Sequence, residues 1–297
     1  MYPITKFMQI LPFDKRDGFI WLNGKFVKWR DANIHVLNHG LHYASCVFEG
    51  LRIYDGRIFK LNEHIERLFN SAKILDLDIP FAYQDVIEIT KKVIVKQNVS
   101  NGYVRPVVWR GSEMMAISAK KGSTNLAIAS WEWPSYFSPE KLLEGIKLNV
   151  SKWLRPSPES APTDSKAAGL YMICSLSKHE AEKLGFDDSL MLDYRGYIAE
   201  ATGANIFFVK NSELFTPIAD CFLNGITRQT VIEIAKENKI KVHENHFKID
   251  FLKACDEVFL TGTAVEITPV SYIENLNFKD RKLTKFLMSE FKKKVTT

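Results

Sequence analysis

The spacing of apolar positions divides the chain into helices and strands. Ile65, Leu68, Phe69, Ala72 and Leu75 recur at helical spacing, which predicts a helix over residues 62–75 with Asn62 as its N-cap. Residues 83–97 predict a second helix, ending near Asn98 and Gly102. Runs rich in Val, Ile and aromatic residues at 103–109 and 125–131 predict strands. Residues 19–27 place Asn23-Gly24 between two short apolar runs, a strong local hairpin signal.

The pattern breaks over residues 132–139, where Pro134, Ser135, Ser138 and Pro139 interrupt it. This stretch is the expected linker between domains of residues 1–131 and 140–297. Beyond it, strands are predicted at 146–150, 189–192, 205–209, 240–243 and 257–260. Helices are predicted at about 170–184, stopped by Gly185, and at 227–238. Strands and helices mix too irregularly for a doubly wound sheet, so two α+β domains are expected.

Composition narrows the choice. A chain of 297 residues, 46% apolar, has enough material for two cores. A dispersed net charge of +5 argues against nucleic acid and suits small anions. Lys292-Lys293-Lys294 reads as the solvated face of a C-terminal helix. Cys46, Cys174, Cys221 and Cys255 form no Cys-x-x-Cys pair, which argues against structural zinc and a disulfide framework and for a reducing compartment. No apolar stretch has signal-peptide or membrane-spanning length, so a cytoplasmic protein is expected.

Four features of the second half suggest chemistry. Taken singly they are ordinary: Lys166 a solvated charge, Glu200 a turn carboxylate, Thr227 an N-cap, and Thr261-Gly262-Thr263-Ala264 a plain turn. Together they supply an amine, a carboxylate, a helix N-terminus opened by Gly225 and a small turn, the parts that hold pyridoxal phosphate. The amine bonds the aldehyde, the carboxylate keeps the ring nitrogen protonated, and the helix end and turn take the phosphate. In the first half, Arg67 reads as a solvated helix residue. Arg52 and Arg105 lie in apolar runs, where an arginine is costly unless it is paired or lines a cavity, so both are candidates for carboxylate recognition. His39 and His42 have no partner at metal-ligand spacing, and no metal is expected.

The ordered series Glu200-x-Thr202-x-x-Asn205-Ile206-Phe207, Leu214-x-Thr216 and Leu223-x-Gly225-Ile226-x-Arg228 resembles the signature of class IV pyridoxal-phosphate aminotransferases. Phe48-Glu49-Gly50-Leu51-Arg52, Tyr103-Val104-Arg105-Pro106 and the run 262–270 resemble their branched-chain amino acid branch. The resemblance implies fold type IV: a smaller N-terminal α/β sandwich, a larger C-terminal domain and the cofactor between them. It implies that Lys166 carries the cofactor covalently, that Tyr171 bonds its phenolic oxygen and that Glu200 faces its ring nitrogen. Arg67, Ile226, Thr227 and Thr263 would hold the phosphate. Arg52, Tyr103 and Arg105 would recognise substrate carboxylates, aided by the N–H groups of Thr263 and Ala264. Phe48, Tyr43 and Trp133 would wall the side-chain pocket.

The implied activity transfers the amino group of leucine, isoleucine or valine to 2-oxoglutarate, in a homodimer or higher assembly. A D-amino acid aminotransferase and an aminodeoxychorismate lyase share the fold and stay open as alternatives, with a non-catalytic binding protein more remote. Two departures bear on pocket shape: Ala204 stands where many relatives carry glutamate, and the loop 112–116 does not match the branch.

Overall fold

Alternation along its strands organises the first half of the protein. The computed structural model describes residues 11–133 and 136–296. Strands β1 (Phe19–Leu22), β2 (Lys25–Lys28), β3 (Cys46–Phe48), β4 (Leu51–Tyr54), β5 (Arg57–Ile58), β6 (Gly102–Arg110) and β7 (Thr124–Glu132) form an antiparallel sheet. Its order is β2-β1-β7-β6-β4-β5, with β3 also paired to β6. Among the described residues, three α-helices belong to this half: α1 (His39–Tyr43), α2 (Leu61–Ile74) and α3 (Tyr83–Gln97). Val47, Leu51, Ile53, Val104, Val108, Leu126 and Ile128 pack in one core with apolar residues of α2 and α3. Successive side chains on a strand point to opposite faces. The face away from α2 and α3 therefore carries Phe48, Arg52, Tyr103 and Arg105.

The N-cap expected at Asn62 is corrected. Helix α2 starts at Leu61, after Lys60 in the left-handed region, and no side chain caps it. Leu61 packs against the core and draws the helix start one residue back. Asn98 does end α3, in the left-handed conformation.

The second half holds β8 (Ile146–Val150), β9 (Asp188–Leu192), β10 (Ile198–Ala201), β11 (Asn205–Lys210), β12 (Glu213–Pro217), β13 (Val242–Asn245), β14 (Glu257–Gly262), β15 (Glu266–Ile273) and β16 (Leu276–Asn277). The sheet order is β10-β9-β8-β15-β14-β11-β12-β13, with β16 on β15. A further pairing of β10 with β11, at Glu200 opposite Asn205, closes six of these strands into a barrel. Helices α4 (Pro139–Glu144), α5 (Tyr171–Lys183), α6 (Ile226–Glu237) and α7 (Lys282–Thr296) complete the chain. On β11, Ile206 and Phe208 join one core while Phe207 and Val209 join another with α6 and α7. Burial on both faces explains why this strand reads as a continuous apolar run.

The strand expected at 240–243 is displaced to Val242–Asn245. The Ile240 N–H instead closes the end of α6 on the Ala235 carbonyl, 2.8 Å away, with Lys239 left-handed between them. Helix α6 also starts one residue earlier than expected, so Thr227 is not its N-cap. Gly225 is. Gly185 follows α5 with φ of +83°, which suits its absent side chain. The stretch expected as a linker, 132–139, runs between β7 and α4. Its residues 134–135 lie outside the described residues.

The two halves are joined through the backbone around residue 166. The Lys166 carbonyl accepts the Phe48 N–H at 3.2 Å, and the Lys166 N–H donates to Ser71 Oγ on α2 at 3.0 Å. Val47 and Ala167 form an isolated bridge. Among the described residues, no helix is long and apolar enough to cross a membrane.

Candidate active site

Two backbone turns bring Lys166 into a cleft between the halves. Ser165 turns back onto the Pro162 carbonyl through both its N–H and its hydroxyl, and a 3₁₀ turn at Ala168–Leu170 leads into α5. Lys166 Nζ donates to Tyr171 Oη at 2.9 Å and lies 5.2 Å from the centre of the Phe48 ring. The cleft is open to solvent and is also lined by Arg67, Glu200, Ile226, Thr227 and Thr263. The seven residues expected to hold the cofactor thus meet in one place.

Glu200 is buried, not an exposed turn carboxylate, because it sits at the barrel's closing pair. Asn205 Nδ2 donates to its Oε2 at 3.1 Å and to the Leu223 carbonyl at 3.0 Å. The Asn205 Oδ1 accepts the Gly225 N–H at 3.0 Å. One amide therefore ties the carboxylate to the helix N-terminus. Burial pushes the Glu200 carboxyl up to about 7, against the opposing charges of Arg155 and Lys166.

The first turn of α6 has no side-chain cap, so its N–H groups and its dipole suit an anion. Gly225 is required by its contacts: a Cβ there would stand 2.2 Å from Asn205 Oδ1. Arg228 holds the loop leading into the helix, donating to Asn224 Oδ1, the Pro217 carbonyl and Glu244 Oε2.

Arg67 is a correction: it is not a solvated helix residue. Its Nε and Nη2 donate to the fully buried Glu49 at 2.6 and 3.0 Å. Its Nη1 is buried without a hydrogen-bond partner, as is Thr261 Oγ1. Both residues line the cleft. Two orphaned donors beside an uncapped helix end fit a phosphate group. A buried carboxylate and an amine fit the ring nitrogen and aldehyde of pyridoxal phosphate.

The remaining candidates border this cleft or lie apart. Arg105 stacks over Phe48 at 4.6 Å and Tyr103 at 5.4 Å, with its Nε buried and unpartnered. Trp133 packs on Tyr103, and its carbonyl accepts from Arg52, which also lies 3.9 Å from Glu266. Ala264 follows Thr263 in the turn between β14 and β15. Tyr43 is 43% exposed and stacks on His39, outside the Lys166 cleft of its own chain. His39 and His42 each contact a backbone carbonyl through Nε2. The loop 112–116 turns back on the residue before β7, where Glu113 accepts from the N–H and hydroxyl of Ser123.

Sequence reasoning missed Glu49 and Arg155 as site residues. Both stand beside large apolar residues, Phe48 and Trp153-Leu154, and a charge in such a setting signals burial with a partner. The same argument singles out Arg52 and Arg105.

Residues 46–273 match the amino-transferase class IV family. A probable branched-chain-amino-acid aminotransferase of Rickettsia felis is 44% identical over 288 residues, covering 96% of this chain and 98% of the relative. The branched-chain amino acid aminotransferase of Escherichia coli superposes with a TM-score of 0.91 at 38% identity, covering 94% of each chain. A second solved branched-chain amino acid aminotransferase, from T.th. and complexed with N-(5'-phosphopyridoxyl)-L-glutamate, gives 0.90 at 36%, covering 95% of each. The matched span includes β3, β10, β11 and the start of α6, the elements that shape the cleft. The chain therefore belongs to the class IV aminotransferases, in their branched-chain amino acid branch, and its cofactor is pyridoxal phosphate.

Proposed function

We propose that this protein transfers the amino group of leucine, isoleucine or valine to 2-oxoglutarate, giving branched 2-oxo acids and L-glutamate. The observation that carries this reading is the meeting of Lys166 Nζ, Glu200 and the uncapped end of α6 in one cleft, bordered by Phe48 and Arg105. Pyridoxal phosphate, when bound, supplies an aldehyde for the amino group and a ring that accepts the electron pair left when the α-proton departs.

The chain's own residues do the rest. Arg67 Nη1, the Ile226 and Thr227 N–H groups and Thr263 hold the phosphate, and Tyr171 orients the ring from beside Lys166. Glu200 pairs with the ring nitrogen. Lys166 Nζ would take the proton from the substrate's α-carbon and deliver it to the carbon that was the cofactor's aldehyde, acting as base and then acid. Phe48 and Trp133 wall the pocket for an apolar side chain, with Tyr43 reaching it from a neighbouring copy in the assembly, and Arg105 with Tyr103 and Arg52 receives the γ-carboxylate of glutamate. The N–H groups of Thr263 and Ala264 take the α-carboxylate.

Residues 1–131 and 140–297 form the two domains of this reading. The assembly is a homodimer or larger. Its support is a run of exposed apolar residues, Ile34, Val36, Leu37 and Leu41, beside an apolar hollow on the first sheet. The four unpaired cysteines support a cytoplasmic location.

The purified protein is expected to be yellow, to bleach with L-leucine and to recover with 2-oxoglutarate. Lys166→Ala abolishes both the colour change and turnover; near-normal activity in that variant rejects the assignment.

A further inference from the structure

Arg155 has no part in the chemistry just described, yet it is buried against the carboxylate at its centre. Arg155 is 5% exposed and Glu200 8%. Arg155 Nε lies 3.4 Å from Glu200 Oε1, and this Nε has no hydrogen-bond partner, so what it offers the carboxylate is charge. The guanidinium is held from behind. Its backbone N–H donates to the Leu192 carbonyl at 2.8 Å, and its Nη1 donates to Cys174 Sγ at 3.4 Å on α5.

The groups around the pair are few. Lys166 and Arg155 are the cations that face Glu200, and Asn205 is its neutral partner on β11. Tyr171, Cys174 and Cys221 are the other titratable groups facing Arg155. Burial pushes the Cys174 thiol up to about 11 and the Cys221 thiol up to about 12, so both stay neutral at working pH. Glu200 is the carboxylate that faces Arg155.

The two cations differ in permanence. Lys166 Nζ changes its charge whenever it bonds the cofactor or moves a proton. A guanidinium cannot be deprotonated in a protein. The positive charge that stays beside Glu200 throughout a turnover is therefore that of Arg155. One proton is shared between Glu200 and the ring nitrogen opposite it, and a fixed cation behind the carboxylate drives that proton to the nitrogen.

We propose that Arg155 is a positioning residue for the ring-nitrogen site: it holds Glu200 ionised and so places the shared proton on the cofactor's ring nitrogen. This rests on the reading of Glu200 as the ring-nitrogen partner. Without Arg155 the proton moves toward Glu200, and the ring becomes a weaker electron sink.

The test loads the enzyme with pyridoxamine 5'-phosphate labelled with ¹⁵N at the ring nitrogen and records that resonance at pH 7.5. The wild type and Arg155→Lys are expected to show a protonated nitrogen. Arg155→Met and Arg155→Gln are expected to move the resonance toward the unprotonated position. The same two variants bind pyridoxamine phosphate about tenfold more weakly, while their affinity for its 1-deaza analogue changes less than about twofold.

A purely structural strut predicts instead that both ligands weaken together with the resonance in place, and that result overturns the proposal. Glu200→Gln separates the two levels of the argument. If it moves the resonance and the Arg155 variants do not, the role of Arg155 fails alone. If it too leaves the resonance unmoved, the assignment of Glu200 fails and the proposal with it.

Discussion

Replacing Glu49 by glutamine removes the buried negative charge that pairs with Arg67. The Glu49 side chain is fully buried and accepts from Arg67 twice, from His64 Nδ1 at 2.7 Å and from the Gly50 N–H at 3.1 Å. Burial alone would raise its carboxyl, but Arg67 and then His64 outweigh that and hold it well below the usual carboxylate range. Glutamine keeps the shape and leaves the Arg67 guanidinium, 15% exposed, without its counter-charge. Breaking a buried pair from one side costs about 3–5 kcal/mol. At about 2–4 °C per kcal/mol, the cofactor-free Glu49→Gln protein melts about 10 °C lower at pH 7.5.

A second sign follows from the free Nη1 of Arg67. A phosphate in the cleft supplies the missing negative charge, so pyridoxamine phosphate raises the melting temperature more in the variant than in the wild type. The pH window is set by the depressed carboxyl: its stabilisation is present above the unfolded value, about 4.3, and is lost as pH falls through the folded one. The gap between the two proteins persists to about pH 4 and closes below it. Melting within about 2 °C of wild type at pH 7.5, or no larger gain with ligand, refutes the reasoning.

Gly225→Ala meets no backbone strain, since φ is −63°, but its Cβ collides with Asn205 Oδ1. Displacing that amide breaks three hydrogen bonds of about 1 kcal/mol each, so cofactor affinity drops at least about tenfold. The same change costs less in an Asn205→Ala background, as a double-mutant cycle of binding constants reads. Glu200→Gln removes a carboxyl whose folded value is raised, a contribution favourable below about pH 4.3 and lost as pH rises through about 7. Denaturant titrations of the cofactor-free proteins then show the variant more stable at pH 8, by about 4 kcal/mol at most, and no such gain at pH 4.5. Arg105→Ala reduces kcat/KM for glutamate and 2-oxoglutarate at least about tenfold more than for leucine, and steady-state kinetics with the three substrates check this.

How much of the site was legible depended on whether a signal was local. Lys166, Glu200, Gly225 and Thr263 sit in short motifs of fixed spacing, and the cleft contains all four. Strand 103–109 was visible from its β-rich composition, and its alternation already separates Val104 and Val108 from Tyr103, Arg105 and Val107. The strands β3, β4 and β15 were missed. Cys46–Phe48 is too brief for a period, and Pro269 within β15 argues against a strand there. Helix starts moved by one residue because burial of Leu61 and the contacts of Gly225 outweigh capping propensity.

The sequence by itself determined which groups are present and the order in which they come along the chain. It also determined the two-layer pattern of the first half, because alternation and helical period are properties of neighbouring residues. Only the tertiary structure decided what lies behind those groups. Closing the barrel at Glu200 and Asn205 buries that carboxylate against Arg155, 45 positions away in sequence, and packing α2 on β3 seats Arg67 on Glu49. Such pairings join residues with no common motif. Their electrostatics come from burial, which exists only once the two halves have folded and met.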